Sequence, residues 1–333
     1  MAEKPRVHIL GTGGSISGIG PHRLDYTLYP EAGKKITVEQ LLERIPEARE
    51  VAELSGEDVL QVGSPSIGPK EWLQLADRIH TLLGTNSVNG IVITHGTATL
   101  EETAYFLHLT VKSDRPVVVT GAMRPPSAAG TDADVNLLDA IRLAATAEAA
   151  GRGVLTILNN EIQSARDVTK SNAFRVDTFD SRDFGVLGYV DSDARVLFYR
   201  NVTRPHTTET PFDVRGRKEL PRVDIVYAYA GADGVLVDTL TARRPDGIVL
   251  VGFGGGSYPS AFLEAGKRAV QAGIPVVLAT RSWNGRVVIT PKKDADGFIV
   301  CDDLMPQKAR ILLMLALTVT RERKAMQEMF YRY

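Results

Sequence analysis

Four polar residues stand at the ends of apolar runs or in polar loops: Thr12, Tyr26, Thr97 and Lys170. Together they suggest nucleophilic chemistry. A threonine hydroxyl is a poor nucleophile until something takes its proton. A lysine amine can take it when burial lowers its pKa, and a tyrosine hydroxyl can relay a proton or stabilise charge. Taken singly, each has a plainer role: a turn threonine caps, a loop lysine is solvated and a tyrosine packs. The set therefore depends on the elements that position it.

The clearest of these elements lies in GIVITHGTATLEETAYFL, residues 90–107. Ile91, Val92 and Ile93 form a short β-branched run, the composition of a buried parallel strand. Leu100, Ala104, Leu107 and Val111 then recur at helical spacing. Thr99 with Glu102 three residues on reads as a capping box, which predicts a helix start at Thr99. Gly96, Thr97 and Ala98 thus fall in a turn at the carboxyl end of a strand, where open parallel sheets bind ligands.

The same alternation runs along the chain. Apolar runs predict strands over 7–10, 59–62, 116–120 and 154–158, and helical spacing predicts helices over 37–45, 72–83 and 134–150. Five strands alternating with helices by residue 160 predict a doubly wound parallel α/β domain. Residues 161–183 are largely polar and carry Lys170 in ARDVTKSN; residues 23–35, with Tyr26 and Tyr29, read as an irregular polar loop. Residues 200–222, rich in Thr, Pro and charge, read as a linker between a domain over 1–199 and a second α/β domain over 223–333. In the latter, strands are expected over 224–229, 247–251 and 275–279, and helices near 260–272 and 308–320.

Composition excludes several classes of function. Lys plus Arg at 39 nearly balances Asp plus Glu at 40, so no basic excess marks a nucleic-acid partner. No run approaches the roughly 20 apolar residues of a membrane helix. The run 7–10 is too short for a signal-peptide core. One cysteine, Cys301, excludes an internal disulfide framework and a cysteine metal cluster; a cytoplasmic protein is expected. The glycine-rich turn GTGGSISG after residue 10 fails as a dinucleotide fingerprint, because Ile16 stands where G-x-G-x-x-G needs glycine. It also lacks the Gly-Lys-Ser/Thr of a phosphate loop. Its glycines allow close approach of backbone to a small ligand, with Thr12 on the turn.

Taken in order, ILGTGGSISG, ITHGTATLEETAYFL, RPVVVTGAMRP, ARDVTKSN, TPFDV, LPRVDIVY and MPQKARILL resemble segments of the bacterial-type L-asparaginase/glutaminase family across nearly the whole chain. The resemblance implies a larger N-terminal doubly wound parallel-sheet domain and a smaller C-terminal α/β domain. It also implies a homotetramer, a dimer of dimers with sites shared between subunits, and hydrolysis of an amide through an acyl-enzyme without metal or cofactor. Carried over by position, Thr12 matches the nucleophile and Tyr26 its hydroxyl neighbour on a flexible lid. Thr97 and Lys170 match the threonine and lysine of a Thr-Lys-Asp group, and Ser64 matches a residue on the substrate carboxylate. Gly63, Pro65, Gly96, Ala98 and Gly255 complete the expected substrate subsites.

The departures fall in one subsite. Ala98 stands where the family has Asp, Pro65 where Gln is usual and Gly255 where Asn is usual; no Glu occurs over 286–293, near Thr290, where a partner's Glu is expected. Each change removes a group that holds the ammonium of asparagine, and an unpaired ammonium in a closed site costs several kcal/mol. The expected substrate is therefore a carboxylate-bearing amide, imide, lactone or ester without a free α-amino group. An ordinary L-asparaginase with an engineered or tolerated Ala98 is the alternative, and an inactive small-molecule binder a third reading. An amidotransferase subunit acting on charged tRNA is disfavoured by the missing basic stripe.

Overall fold

The computed structural model describes residues 3–333. They divide into two compact units, residues up to Gly216 and Arg217–Tyr333.

The first unit is built on an eight-stranded sheet of β1 (Arg6–Gly13), β2 (Glu53–Val62), β3 (Gly90–Thr94), β4 (Val117–Thr120), β5 (Val154–Leu158), β6 (Glu161–Ser164), β7 (Gly188–Val190) and β8 (Val196–Phe198). Their spatial order is β8-β7-β6-β5-β4-β3-β1-β2. The pairs joining β2, β1, β3, β4 and β5 are parallel. Strands β3, β4 and β5 are buried at every residue, as Val- and Ile-rich runs covered on both faces should be. The edge strand β2 instead carries Glu53, Glu57 and Asp58, charges that discourage pairing with another chain.

The expected parallel sheet is extended at its other edge by antiparallel β6, β7 and β8. The cause is local. Asn159 and Asn160, with φ of 52° and 65°, form a two-residue turn of the kind that folds a strand straight back. The polar run 161–183 therefore begins in the sheet.

The main helices of this unit are α1 (Val38–Glu43), α2 (Pro69–Gly84), α3 (Leu100–Thr110) and α4 (Ala133–Ala145). Helix α3 is buried at all but one position, including Glu101 and Thr103, and Phe106 stacks on Trp72 of α2 at 5.3 Å. Helix α4 stops at Ala145, short of the expected residue 150, and a separate 3-10 turn follows at Ala147–Ala149. Within residues 200–216, Thr207, Thr210 and Phe212 are buried. Lys112 fixes them by donating to the carbonyls of Thr207 and Thr210 at 2.8 and 2.9 Å.

The second unit holds a four-stranded parallel sheet in chain order, β9 (Val223–Tyr227), β10 (Gly247–Gly252), β11 (Val276–Thr280) and β12 (Ile299–Val300). Its main helices are α5 (Val235–Ala242), α6 (Ser260–Gln271), α7 (Pro306–Ala316) and α8 (Arg323–Arg332). Gln327 of α8 closes the sheet edge as a strand would: its amide oxygen accepts from Val300 N at 2.9 Å and its nitrogen donates to Val300 O at 3.2 Å.

Candidate active site

Three turns at the carboxyl ends of β1, β2 and β3 meet backbone to backbone, and glycine makes this possible. Gly14 has φ of 86°, and a Cβ on it would lie 2.2 Å from the Cα of Gly96. A Cβ on Gly96 would meet the Ser64 hydroxyl at 2.7 Å. Any side chain at either position would push the turns apart. Thr99 joins them as well. It is the N-cap residue of α3, but the expected capping box is not formed; its hydroxyl donates instead to the Ser64 carbonyl at 2.8 Å. Tying two turns together has won over capping one helix.

This junction presents two hydroxyl pairs. Ser15, nearly buried just after the two glycines, accepts a hydrogen bond from the Tyr29 hydroxyl at 2.8 Å. Thr97 accepts one from the Lys170 amine at 2.8 Å. Lys170 lies on the short strand Thr169–Lys170, paired with Phe179–Asp180; its backbone N donates to Glu101 Oε2 at 2.7 Å. Burial pushes the Lys170 amine below the ordinary lysine range, with the Glu101 carboxylate pulling the other way. Both pairs face a cavity of about 330 Å³, which is also lined by Gly63, Ser64, Pro65, Gly96 and Ala98. Lys34 and Lys35 complete its cationic side, and no Asp or Glu among the described residues lines it.

The Thr97 turn has a buried brace behind it. His95 Nδ1 faces the Gly96 carbonyl at 2.8 Å, so that nitrogen carries the proton. Nε2 therefore accepts from the Thr103 hydroxyl at 2.9 Å, and Thr103 in turn accepts from the Trp72 indole at 2.9 Å. Full burial lowers His95 to about 4, so the ring is neutral at pH 7.

Two of the expected catalytic residues are elsewhere. Thr12 is fully buried inside β1, and its hydroxyl donates to the Thr94 carbonyl at 2.9 Å. It does not line the cavity. The apolar run ends at Leu10, but β1 continues to Gly13 because Gly11 pairs with both neighbouring strands and Gly13 with Val62 of β2, which keeps Thr12 within the sheet. Tyr26 also lies outside the lining, its hydroxyl donating to the Ala129 carbonyl at 3.1 Å. Ser15 and Tyr29 line the cavity instead. The signal was present: Ser15 is the first hydroxyl after paired glycines, where the chain must leave the strand. In the second unit, Gly255 sits exposed in the turn bridged by Phe253 and Ser257. Thr290 caps the one-turn helix Pro291–Ala295, accepting from Lys293 N. Among the described residues no cluster of three or more His, Cys, Asp or Glu could hold a metal ion, and no helix is long and apolar enough to cross a membrane.

Paired hydroxyls over a parallel-sheet edge, one of them on a lysine, are the parts of an enzyme that transfers acyl groups. Comparison with known proteins gives the class a name. The family model "Asparaginase, N-terminal" matches residues 6–204, and "Glutaminase/Asparaginase C-terminal domain" matches residues 222–330. L-asparaginase 2 of Bacillus subtilis is 45% identical over 99% of this chain and 87% of its own length. L-asparaginase 2 of Escherichia coli is 40% identical over 99% and 93%. The crystal structure of the probable cytoplasmic L-asparaginase of Campylobacter jejuni superposes with a TM-score of 0.95 at 42% identity, covering 99% of this chain and all of that one. The chain belongs to the asparaginase/glutaminase family, whose members are amidohydrolases acting on C–N bonds.

Proposed function

We propose that this chain hydrolyses a carboxylate-bearing amide without a free α-amino group, through an acyl ester on Ser15. The observation that carries the reading is the cavity lining: two hydroxyl pairs and three lysines, with Ala98 at the turn and no carboxylate side chain. Ser15 Oγ attacks the amide carbonyl, with Tyr29 in place to relay its proton. Burial lowers the Lys170 pKa, and on losing its proton the amine can draw on the Thr97 hydroxyl and supply the second pair that moves protons. The amine leaves protonated, and water then cleaves the ester to free the acid and Ser15. Lys34, Lys35 and the Ser64 turn favour the substrate carboxylate, and nothing acidic in the lining offers an ammonium a partner. The family resemblance further supports a homotetramer in the cytoplasm, which sedimentation velocity and fractionation would test.

A second reading, hydrolysis of L-asparagine itself, is favoured by the names of the relatives. Succinamate is asparagine with hydrogen in place of the α-ammonium, so the two amides separate the readings. Leaving a buried charge without its partner costs about 3–5 kcal/mol, at least roughly a hundredfold in rate. Ammonia release is expected to give succinamate the higher kcat/KM by about that factor, and Ala98→Asp should narrow the gap. Efficient asparagine turnover with poor succinamate turnover would establish the second reading instead.

A further inference from the structure

We propose that Tyr26 is a positioning residue: it latches the loop 20–33 onto the loop 123–132 and so holds Tyr29 on Ser15. The inference rests on the reading of Ser15 and Tyr29 as a working pair. The loop 20–33 is closed at its base by a short ribbon, with Gly18 paired to Lys35 and Ile19 to Lys34. Within it, the Asp25 carboxylate accepts from the backbone N of Thr27 and Leu28 at 3.1 and 2.7 Å, which turns the chain into the single helical turn Tyr29–Ala32. Apolar burial does little to hold the loop down, since Leu24 is 72% and Leu28 48% exposed.

What holds it is a set of contacts to one neighbouring loop. Gly20 N donates to Ser127 Oγ at 2.8 Å, and Ala129 N donates to the Arg23 carbonyl at 2.7 Å. Among the described residues, Tyr26 is the one side chain of the loop that hydrogen-bonds across, donating to the Ala129 carbonyl at 3.1 Å. The Arg124 guanidinium stands 5.4 Å from the centre of the Tyr26 ring, within the range of a cation–π contact. The receiving loop is itself fixed. Asp132 accepts from Met123 N and Arg124 N at 2.9 and 2.8 Å, and Arg44 donates to the Pro126 carbonyl at 3.0 Å. A loosely packed segment is thus anchored on a braced one, three residues before the tyrosine that meets Ser15.

The test is a double-mutant cycle on ammonia release, using whichever of succinamate and asparagine the wild type turns over faster. Tyr26→Phe keeps the ring under Arg124 and removes only the hydroxyl. It should lower kcat/KM about fivefold, the loss of one hydrogen bond of roughly 1 kcal/mol. In a Tyr29→Phe background the same change should have no effect, because a residue acting only through Tyr29 has nothing left to position. Amide hydrogen exchange over 27–32 should rise in Tyr26→Phe. Additive losses, or unchanged exchange, would overturn the latch and leave the Ser15–Tyr29 pair standing. A Tyr29→Phe variant with wild-type rate would overturn both.

Discussion

The two hydroxyl pairs in the cavity are held in opposite ways. Thr97 and Lys170 hang from regular structure: the end of β3, the start of α3 and a short ribbon, with His95, Thr103 and Trp72 hydrogen-bonded behind. Ser15 and Tyr29 share a hydrogen bond of the same 2.8 Å length, but Tyr29 arrives on a loop whose apolar side chains face water. Similar geometry thus rests on different stability. Regions with few buried apolar contacts open at low free energy, whereas a buried network opens only with much of its surroundings. The braced pair suits a group whose pKa must stay tuned, and the loop-borne pair suits a group that must let substrate in.

The largest expected effect separates Ser15 from Thr12. If Ser15 carries the acyl ester, Ser15→Ala should lower turnover at least about a thousandfold. Thr12→Val, which removes only a structural hydroxyl, should stay within about threefold. Mass spectrometry of enzyme quenched during turnover should find the added acyl mass on the peptide containing Ser15. Near-full activity in Ser15→Ala, or an adduct on Thr97, would reverse the roles of the two pairs.

The next effect tests the braced pair through its proton. Lys170→Met should cost about a hundred- to ten-thousandfold, the range for loss of a general base. Because burial lowers the Lys170 pKa, the wild-type rate should rise with pH through an apparent pKa below the ordinary lysine value, as the amine loses its proton. The limb should vanish in Lys170→Met. A pH-independent rate between neutral and alkaline conditions, with chemistry rate-limiting, would remove Lys170 from proton transfer.

The same contrast decides what could be read from the sequence. The Thr97 turn was legible because its parts are local: a β-branched run, a turn and a helix with apolar residues at regular spacing. Thr97, Ala98, Ser64 and Lys170 line the cavity as expected. On the other side of the cavity Thr12 and Tyr26 do not line it, because strand length and loop path are set by distant partners. Nothing near Thr12 shows that β1 runs on to Gly13 along β2. Nothing near Tyr26 shows that Ala129 and Arg124 claim its ring, leaving Tyr29 for Ser15. The antiparallel extension was missed for a simpler reason: Asn159-Asn160 is a hairpin turn, and the polar run after it carries no apolar alternation to mark a strand. The capping box at Thr99 failed because a long-range partner, the Ser64 carbonyl, outbid a local one.

The smallest expected effect is on stability, and it isolates the brace. Burial holds the His95 ring at about 4, against 6.5 for an unperturbed histidine. Between those values the unfolded chain binds a proton that the folded protein refuses, so stability falls as the pH is lowered through that window and is fully present above it. At pH 4.5 this single group should cost about 2 kcal/mol relative to pH 7. Trp72 donates into the same network, so in a Trp283→Phe background, which leaves Trp72 as the one tryptophan, fluorescence during urea unfolding reports the first unit. His95→Gln should lower stability at pH 7 but lose about 2 kcal/mol less than wild type on acidification. Tyr26→Phe, which loosens only the loop, should leave the acid dependence as it is. If His95→Gln shows the full wild-type loss, other groups cause the acid sensitivity and the braced pair owes nothing to a neutral His95.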